Sequence, residues 1–288
     1  MHLAKATHLL EGYNRYHSVP GTFGAVTRWP VMIRLFHVSD VHFGREDQAA
    51  VAWFEALVKA ERPDAVVMTG DLTMRARSAE FDAGLAWLQR LDVPVTVEVG
   101  NHDLPLWNLF RRFLRPYHRY HKIERMIEQP LELPGVAIVP LVTTVRFQLR
   151  NWAKGYVSSH QLRKTLAGVA AAPPGALVFI ACHHPLIEGQ TQATSDTRRG
   201  AAAFAALAKA GAAAVLTGHV HDPFDIVHDV DGHALRMIGA GTLSERTRAM
   251  PPSFNEIRIV DGGFDVKLRN FGAAPDVVLP VEHVAETL

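Results

Sequence analysis

Ile33-Arg34-Leu35-Phe36-His37-Val38-Ser39-Asp40-Val41-His42 is the stretch on which the reading of this 288-residue chain turns. Its apolar run, Ile33–Ser39, has the length and residue types of a buried strand, and it stops at a short polar cluster. Residues two apart on extended backbone point to one side. Asp40 and His42 are therefore expected to face a common point.

Moving outward, the same unit repeats. Strands are expected at Ala65–Met68, Val93–Val97, Ala176–Ala181 and Ala213–Leu216. Between them lie amphipathic helices near Gln48–Ala60, Ser78–Leu91 and Gln161–Ala167, and an Ala-rich helix over Arg198–Ala210. After Val220 the texture changes to what read as consecutive antiparallel strands, Phe224–His228, Leu235–Ile238, Phe254–Val260 and Phe264–Leu268. Asp231-Gly232 and Asp261-Gly262-Gly263 are the turn signals among them. Alternating βα units followed by hairpins imply an α/β (α+β) domain with parallel and antiparallel parts, whose polar site lies at the carboxyl ends of strands.

Each apolar strand of the first part runs into a polar cluster. Thr69-Gly70-Asp71 follows the second and Gly100-Asn101-His102-Asp103 the third. Cys182-His183-His184-Pro185 and Gly218-His219-Val220-His221 follow the next two. Imidazole, carboxylate and amide oxygen suit Mn, Fe or Zn and are a poor set for thiolate chemistry. Taken singly these clusters are weak signals, since Asp-x-His is commonly a turn and Gly-Asp a cap. In this order, each after its own strand, they are a strong one. Seven candidate ligands exceed the need of one ion and point to two, a pair able to clamp the attacking and leaving oxygens of a phosphoryl displacement.

Composition limits the rest. A hydrophobic fraction of 48% and a charged fraction of 20% describe an ordinary globular chain, and a net charge of +1 argues against a general affinity for polyanions. Cys182 is the only cysteine, so no internal disulfide forms and the cytoplasm is the expected compartment. No apolar run is long enough to span a membrane, and residues 1–31 lack the apolar stretch of a signal peptide. Those residues read as an N-terminal appendage or the product of an early start codon, with one domain over residues 32–288.

The ordered set Asp40-Val41-His42, Gly70-Asp71, Gly100-Asn101-His102-Asp103, His183 and Gly218-His219-Val220-His221 resembles the signature of the calcineurin-like metallophosphoesterases, over residues 33–222. The resemblance implies a four-layer αββα sandwich of two mixed sheets flanked by helices. It implies one metal held by Asp40, His42, Asp71 and His221, and another by Asp71, Asn101, His183 and His219, with Asp71 shared. The ions would be divalent or mixed-valence Mn, Fe or Zn, and a hydroxide between them would attack a phosphoester. His183 is the expected ligand of the His-His pair. His102 is expected to stabilise or protonate the leaving oxygen, with Asp103 orienting its ring.

The purple acid phosphatases of that family carry Tyr three residues after the Gly-Asp aspartate, where this chain has Met74. The motif style is nearer the bacterial class III cyclic nucleotide phosphodiesterases and related glycerophosphodiesterases, which implies a small phosphodiester substrate. Arg75 and Arg77 are placed to touch its phosphate, or to pair with Glu80 or Asp82. Arg111–Arg125 holds six Lys or Arg against Glu124, with Phe110, Phe113, Leu114 and Tyr117 at helical spacing. Packing of those aromatics on the core is favoured over a substrate cap. Nucleic acid is a possible but not a favoured partner. A superfamily nuclease, a lipid-precursor pyrophosphate hydrolase and a non-catalytic scaffold are the alternatives, the last disfavoured by the complete ligand set.

Overall fold

The computed structural model describes residues 32–284 apart from 106–108, 122, 124–130, 132, 146–152, 190, 196, 274–276 and 279–280. The expected appendage over residues 1–31 lies outside the described residues. The chain begins with β1 (Ile33–Val38), α1 (Gln48–Glu61), β2 (Ala65–Met68), α2 (Ser78–Arg90), β3 (Val95–Val97) and α3 (Leu109–Leu114). It continues through β4 (Val136–Pro140), α4 (Ser159–Ala170), β5 (Leu177–Ala181), α5 (Gly200–Lys209) and β6 (Ala214–Thr217). The strands β7 (Phe224–Val230), β8 (His233–Gly239), β9 (Ser253–Val260), β10 (Gly263–Asn270), β11 (Val277–Val278) and β12 (Glu282–Val284) complete it.

These strands form two mixed six-stranded sheets, ordered β11-β10-β9-β1-β2-β3 and β12-β7-β8-β6-β5-β4. Apolar residues on both faces of the central strands require cover on both sides, and three cores supply it. Leu35, Val67, Phe179, Leu216 and Ile257 fill the layer between the sheets. Phe36, Phe54, Trp87 and Phe254 belong to the core shared by the first sheet with α1 and α2. Ile180, Phe204, Leu207 and Val215 belong to the core under α5 on the second sheet. The result is the αββα sandwich.

Two expectations need correction. The strands after Val220 are not one antiparallel run but two hairpins, β7–β8 and β9–β10, placed in different sheets. Each turns through two residues at positive φ, Asp231 and Gly232 (53° and 81°) and Asp261 and Gly262 (50° and 78°). That is the twist-matched type I′ geometry. β8 then lies parallel to β6, and β9 antiparallel to β1. The segment between β8 and β9 therefore crosses from one sheet to the other. β4 was not expected from sequence because prolines flank and end its five residues; Pro140 is tolerated because the strand lies at a sheet edge.

The helix near residue 110 also departs from expectation. Phe110 and Leu114 are 75% and 61% exposed, whereas Arg112 is 1% exposed. The Arg112 guanidinium donates to the carbonyls of Pro105 and Val145. A basic residue is buried here while Phe110 and Leu114 face solvent; among the described side chains of the expected set, Tyr117 alone packs against the core. The Phe113 side chain and residues 124–125 lie outside the described residues. Among the described residues, no helix is long and apolar enough to cross a membrane.

Candidate metal centre

The polar clusters follow the carboxyl ends of β1, β2 and β3 in one sheet and of β5 and β6 in the other, and they meet at one edge of the sandwich. Backbone hydrogen bonds continue past the strand ends and tie the loops together. Asp40 N donates to Gly70 O at 3.0 Å, His42 N to Asp71 O at 3.0 Å, and Gly218 N to His183 O at 2.9 Å. Asp40 joins the two halves, since its Oδ2 accepts from His219 N at 2.8 Å and its carbonyl from Thr242 Oγ1 at 2.6 Å.

Asp40 and His42 do not converge through an extended pleat, because β1 ends at Val38 and both residues adopt positive φ, 55° and 52°. Asp71, His219 and His221 do the same, at 52°, 71° and 61°. The left-handed region is sparsely used by residues other than glycine, and such conformations cost about 1–3 kcal/mol each. Strain gathered on five of the candidate ligands marks the place where the surrounding structure dictates side-chain direction.

The glycines of the motifs have a related purpose. A Cβ on Gly218 would lie 1.8 Å from Ser39 Oγ, and one on Gly100 would lie 2.1 Å from Asp71 N. Only hydrogen fits where loops from separate strands touch.

All seven candidate ligands lie in this cluster. His221 Nε2 is 3.2 Å from Asp40 Oδ1 and 3.1 Å from His42 Nε2. Asp71 Oδ2 is 3.7 Å from His42 Nε2 and 3.4 Å from His183 Nε2, so it faces both halves. Asn101 Oδ1 lies 3.0 Å from His183 Nε2 and 3.1 Å from His219 Nδ1. Asp40, His42, Asp71, His183 and His221 are buried, while Asn101 and His219 are partly exposed.

The donor set fits cations. His183 Nδ1 donates to Thr69 O at 2.8 Å and His221 Nδ1 to Arg246 O at 2.7 Å. In the neutral ring each then turns a lone-pair Nε2 toward a carboxylate or amide oxygen. Asp40 Oδ1 is buried without a hydrogen-bond partner. Acceptors facing acceptors in a buried pocket need positive charge among them, and the carbonyl behind each imidazole is the arrangement that orients a metal-binding histidine. Four overlapping groups of buried or partly buried donors satisfy the spacing for an ion, three of them containing Asp40 or Asp71.

Electrostatics agree. Burial opposes ionisation of Asp71, but the positive charge facing it, His183 foremost, outweighs it and holds the carboxyl well below its usual range. That charge is a proton: burial opposes it on His183, but Asp71 raises the ring to about 9, and Asp40 likewise raises His221 against burial, so a cation here would take the place of these protons. Burial lowers His42 to about 3 and His219 to about 4, which keeps these rings neutral and able to ligate.

His184 lies near His183 and His219 but both its ring nitrogens are engaged elsewhere, Nε2 with Ala153 O at 2.9 Å and Nδ1 with Thr143 Oγ1 at 2.8 Å. It has no lone pair to offer. His102 is partly exposed and presents Nε2 to the cluster, because Nδ1 donates to Met74 O at 2.8 Å. Asp103, expected to orient that ring, does not. Its two oxygens accept from Thr73 N, Thr73 Oγ1, Gly100 N and Leu72 N. Asp103 thus braces the loops after β2 and β3 against each other. Burial and the nearby Asp71 charge raise its carboxyl to about 6.

Arg75 and Arg77 are exposed and make no hydrogen bond or ion pair to the seven residues. Their backbone N–H groups donate to Glu80 Oε2, and the Arg77 guanidinium lies 4.0 Å from Glu80 Oε1. The cation found in the cluster is Arg246, which the sequence reading passed over. Its Nη1 is 3.2 Å from His42 Nε2 and 3.3 Å from His102 Nε2. One signal was present: Gly239-Ala240-Gly241 closes an apolar strand as the other motif loops do, and the next strand begins only at Ser253.

A four-layer sandwich with a buried Asp/Asn/His cluster at the carboxyl ends of strands from both sheets defines a metal-dependent hydrolase. A sequence model described as calcineurin-like phosphoesterase matches residues 33–223, and the chain belongs to that family. Comparison with curated proteins returned no match.

Solved structures share the fold at low identity. A dimetal phosphatase from Danio rerio is 15% identical with a TM-score of 0.57, the alignment covering 86% of this chain and 98% of that one. The purple acid phosphatase PPD1 of yellow lupin (Lupinus luteus) seeds is 12% identical with a TM-score of 0.58, over 88% of this chain and 54% of that one. GAP50 of Plasmodium, described as the anchor in the inner membrane complex, is 12% identical with a TM-score of 0.53, over 88% and 91%. As a family member the chain is a binuclear metal-dependent phosphoesterase.

Proposed function

We propose that the enzyme hydrolyses a small phosphodiester, a cyclic nucleotide or a glycerophosphodiester, with two Mn, Fe or Zn ions at the cluster and in the cytoplasm. The observation that carries the reading is the convergence of lone pairs from both sheets on Asp71 Oδ2. Asp40, His42, Asp71 and His221 would hold one ion, and Asp71, Asn101, His183 and His219 the other. Bound divalent ions would supply Lewis acidity to phosphoryl oxygens and ionise water near neutral pH.

The chain's own groups do the rest. Thr69 O and Arg246 O fix the tautomers of His183 and His221. Asp103 locks the Asp71 and Asn101 loops in register. His102, its Nδ1 pinned by Met74 O, turns Nε2 toward the substrate, where a proton on that atom can pass to the departing oxygen.

Phe110 and Leu114, exposed one helical turn apart, favour a second reading in which the substrate is amphiphilic. GAP50 is described as an anchor, but the complete donor set here supports catalysis over a scaffold.

The test is a panel of bis-aryl and mono-aryl phosphates, cyclic nucleotides and glycerophosphodiesters, assayed with protein reconstituted in Mn, Fe or Zn. The bis-aryl ester and at least one natural diester should turn over faster than the monoester. Detergent dependence on lipid-linked substrates would select the second reading. No hydrolysis of any ester under any metal sinks the proposal.

A further inference from the structure

Arg246 combines features that a surface or scaffolding arginine does not. It is partly buried, and its side-chain contacts are two imidazole nitrogens, His42 Nε2 and His102 Nε2, and the Met74 sulfur at 3.9 Å. Among the described residues no carboxylate pairs with it. Of the other partly buried arginines, Arg34, Arg236, Arg258 and Arg269 are each tied to a glutamate or an aspartate, and Arg119 donates to the Ala76 carbonyl, so each has an oxygen partner that Arg246 lacks. A guanidinium turned into a polar cluster and lacking an anion is arranged for one that comes from outside.

Its backbone is fixed with unusual care. Thr242 Oγ1 donates to Asp40 O and accepts from Ser244 N at 3.0 Å, and Ser244 Oγ accepts from Arg246 N at 3.2 Å. Asp47 N donates to Leu243 O, Glu245 N to Arg45 O, and Ala249 N to Asp222 Oδ1. The Arg246 carbonyl in turn accepts from His221 Nδ1. The segment between β8 and β9 is thereby stitched to the loops after β1 and β6. Its one inward cation is delivered to a set position, as a group that must meet a ligand without reorganising needs to be.

A metal held by His42 would take the lone pair that Arg246 Nη1 shares in its absence. The guanidinium then stands beside further positive charge, and only an anion between them makes that arrangement favourable. We propose that Arg246 binds the phosphoryl oxygens of the substrate, a role that rests on the phosphoesterase reading and is separate from the metal cage. Its side chain lies between a proposed ligand and His102, so it grips the group that His102 acts on.

The experiment compares metal-reconstituted wild type, Arg246→Met and Arg246→Lys by elemental analysis, by calorimetric titration with inorganic orthophosphate, and by kcat and KM on a bis-aryl phosphate. Both variants keep the backbone carbonyl that orients His221, so metal content should be unchanged. Orthophosphate affinity should fall roughly ten- to a hundredfold in Arg246→Met, as for loss of a charge-assisted pair, and less in Arg246→Lys, with KM rising in step. If Arg246→Met does not fold, Arg246→Lys carries the test, with a loss of several-fold that follows from losing the planar fork. Unchanged orthophosphate affinity, or loss of metal in both variants, overturns the role. Wild-type protein that carries both ions yet neither binds orthophosphate nor cleaves any ester would overturn the phosphoesterase reading itself.

Discussion

Gly100→Ala probes how the two loops that carry Asp71 and Asn101 are held. A methyl group at Gly100 would lie 2.1 Å from Asp71 N and Oδ1 and 2.7 Å from Asp71 Cα. Ordinary van der Waals contact begins at 3.4 Å, so the shortest approach is about 1.3 Å too close. The obstacle is backbone and a buried carboxylate, not the free end of a side chain, and the strands behind it are fixed in register by Met68↔Val97 pairing. The loops must part by on the order of 1 Å, an overpacking that costs about 1–3 kcal/mol. For a domain of this size that lowers Tm by roughly 2–4 °C per kcal/mol. The chemical effect is larger, because a misplacement of about 1 Å can cost about a hundredfold in rate.

Gly100→Ala should therefore purify folded, carry fewer than two metals per chain by elemental analysis, and lose at least about a hundredfold in kcat/KM. Gly263→Ala is the control, its nearest obstacle being Val260 O at 3.7 Å. A Gly100→Ala protein with both ions and wild-type turnover would refute the claim that Asp71 is fixed by contact between the loops.

His102→Ala should keep its metals while kcat falls by about 10²–10⁴, the usual worth of a positioned acid; unchanged turnover removes the assigned role. His184→Gln should also retain both ions, since both ring nitrogens are already engaged by Thr143 and Ala153, yet lose about 1–3 kcal/mol in denaturant melts from broken buried hydrogen bonds. Metal loss in that variant would mark His184 as a ligand after all. Burial opposes ionisation of Glu256, but hydrogen bonds from Arg258 and Arg269 outweigh it and hold its carboxyl below the ordinary 4.5. A depressed pKa stabilises the fold above about pH 4.5, and that contribution is lost as pH falls through the folded value. Stability of Glu256→Gln should accordingly decline less steeply in acid; a slope equal to wild type would show that this buried cluster is not linked to pH. Chelation of the bound ions should lower Tm, by an amount that grows with metal affinity, and restored metal should return it.

Much of this was legible in the residues because each signal is local. Ala65–Met68 is apolar, bounded and short, and it is a strand over those same residues. The ligand types and their order lie on the surface of the sequence, each after its own strand. What stayed hidden depends on partners distant in the chain. Nothing near Asp40 announces positive φ, since it is imposed by bonds to Gly70 and Asp71 some thirty residues on. The two hairpins look alike in sequence, and only their pairing with β6 and β1 assigns them to different sheets. Arg246 was missed for the same reason, as its neighbours His42 and His102 are more than a hundred residues away.

Division of the cluster between the sheets has a further effect. Asp40, His42, Asp71 and Asn101 travel with one sheet, and His183, His219 and His221 with the other. The girth of Leu35, Val67, Phe179 and Leu216 in the filling between them sets how far apart those two groups stand. Phe179, a fully buried member of that layer, works as a shim, and trimming it would detune a reaction whose atoms it never meets.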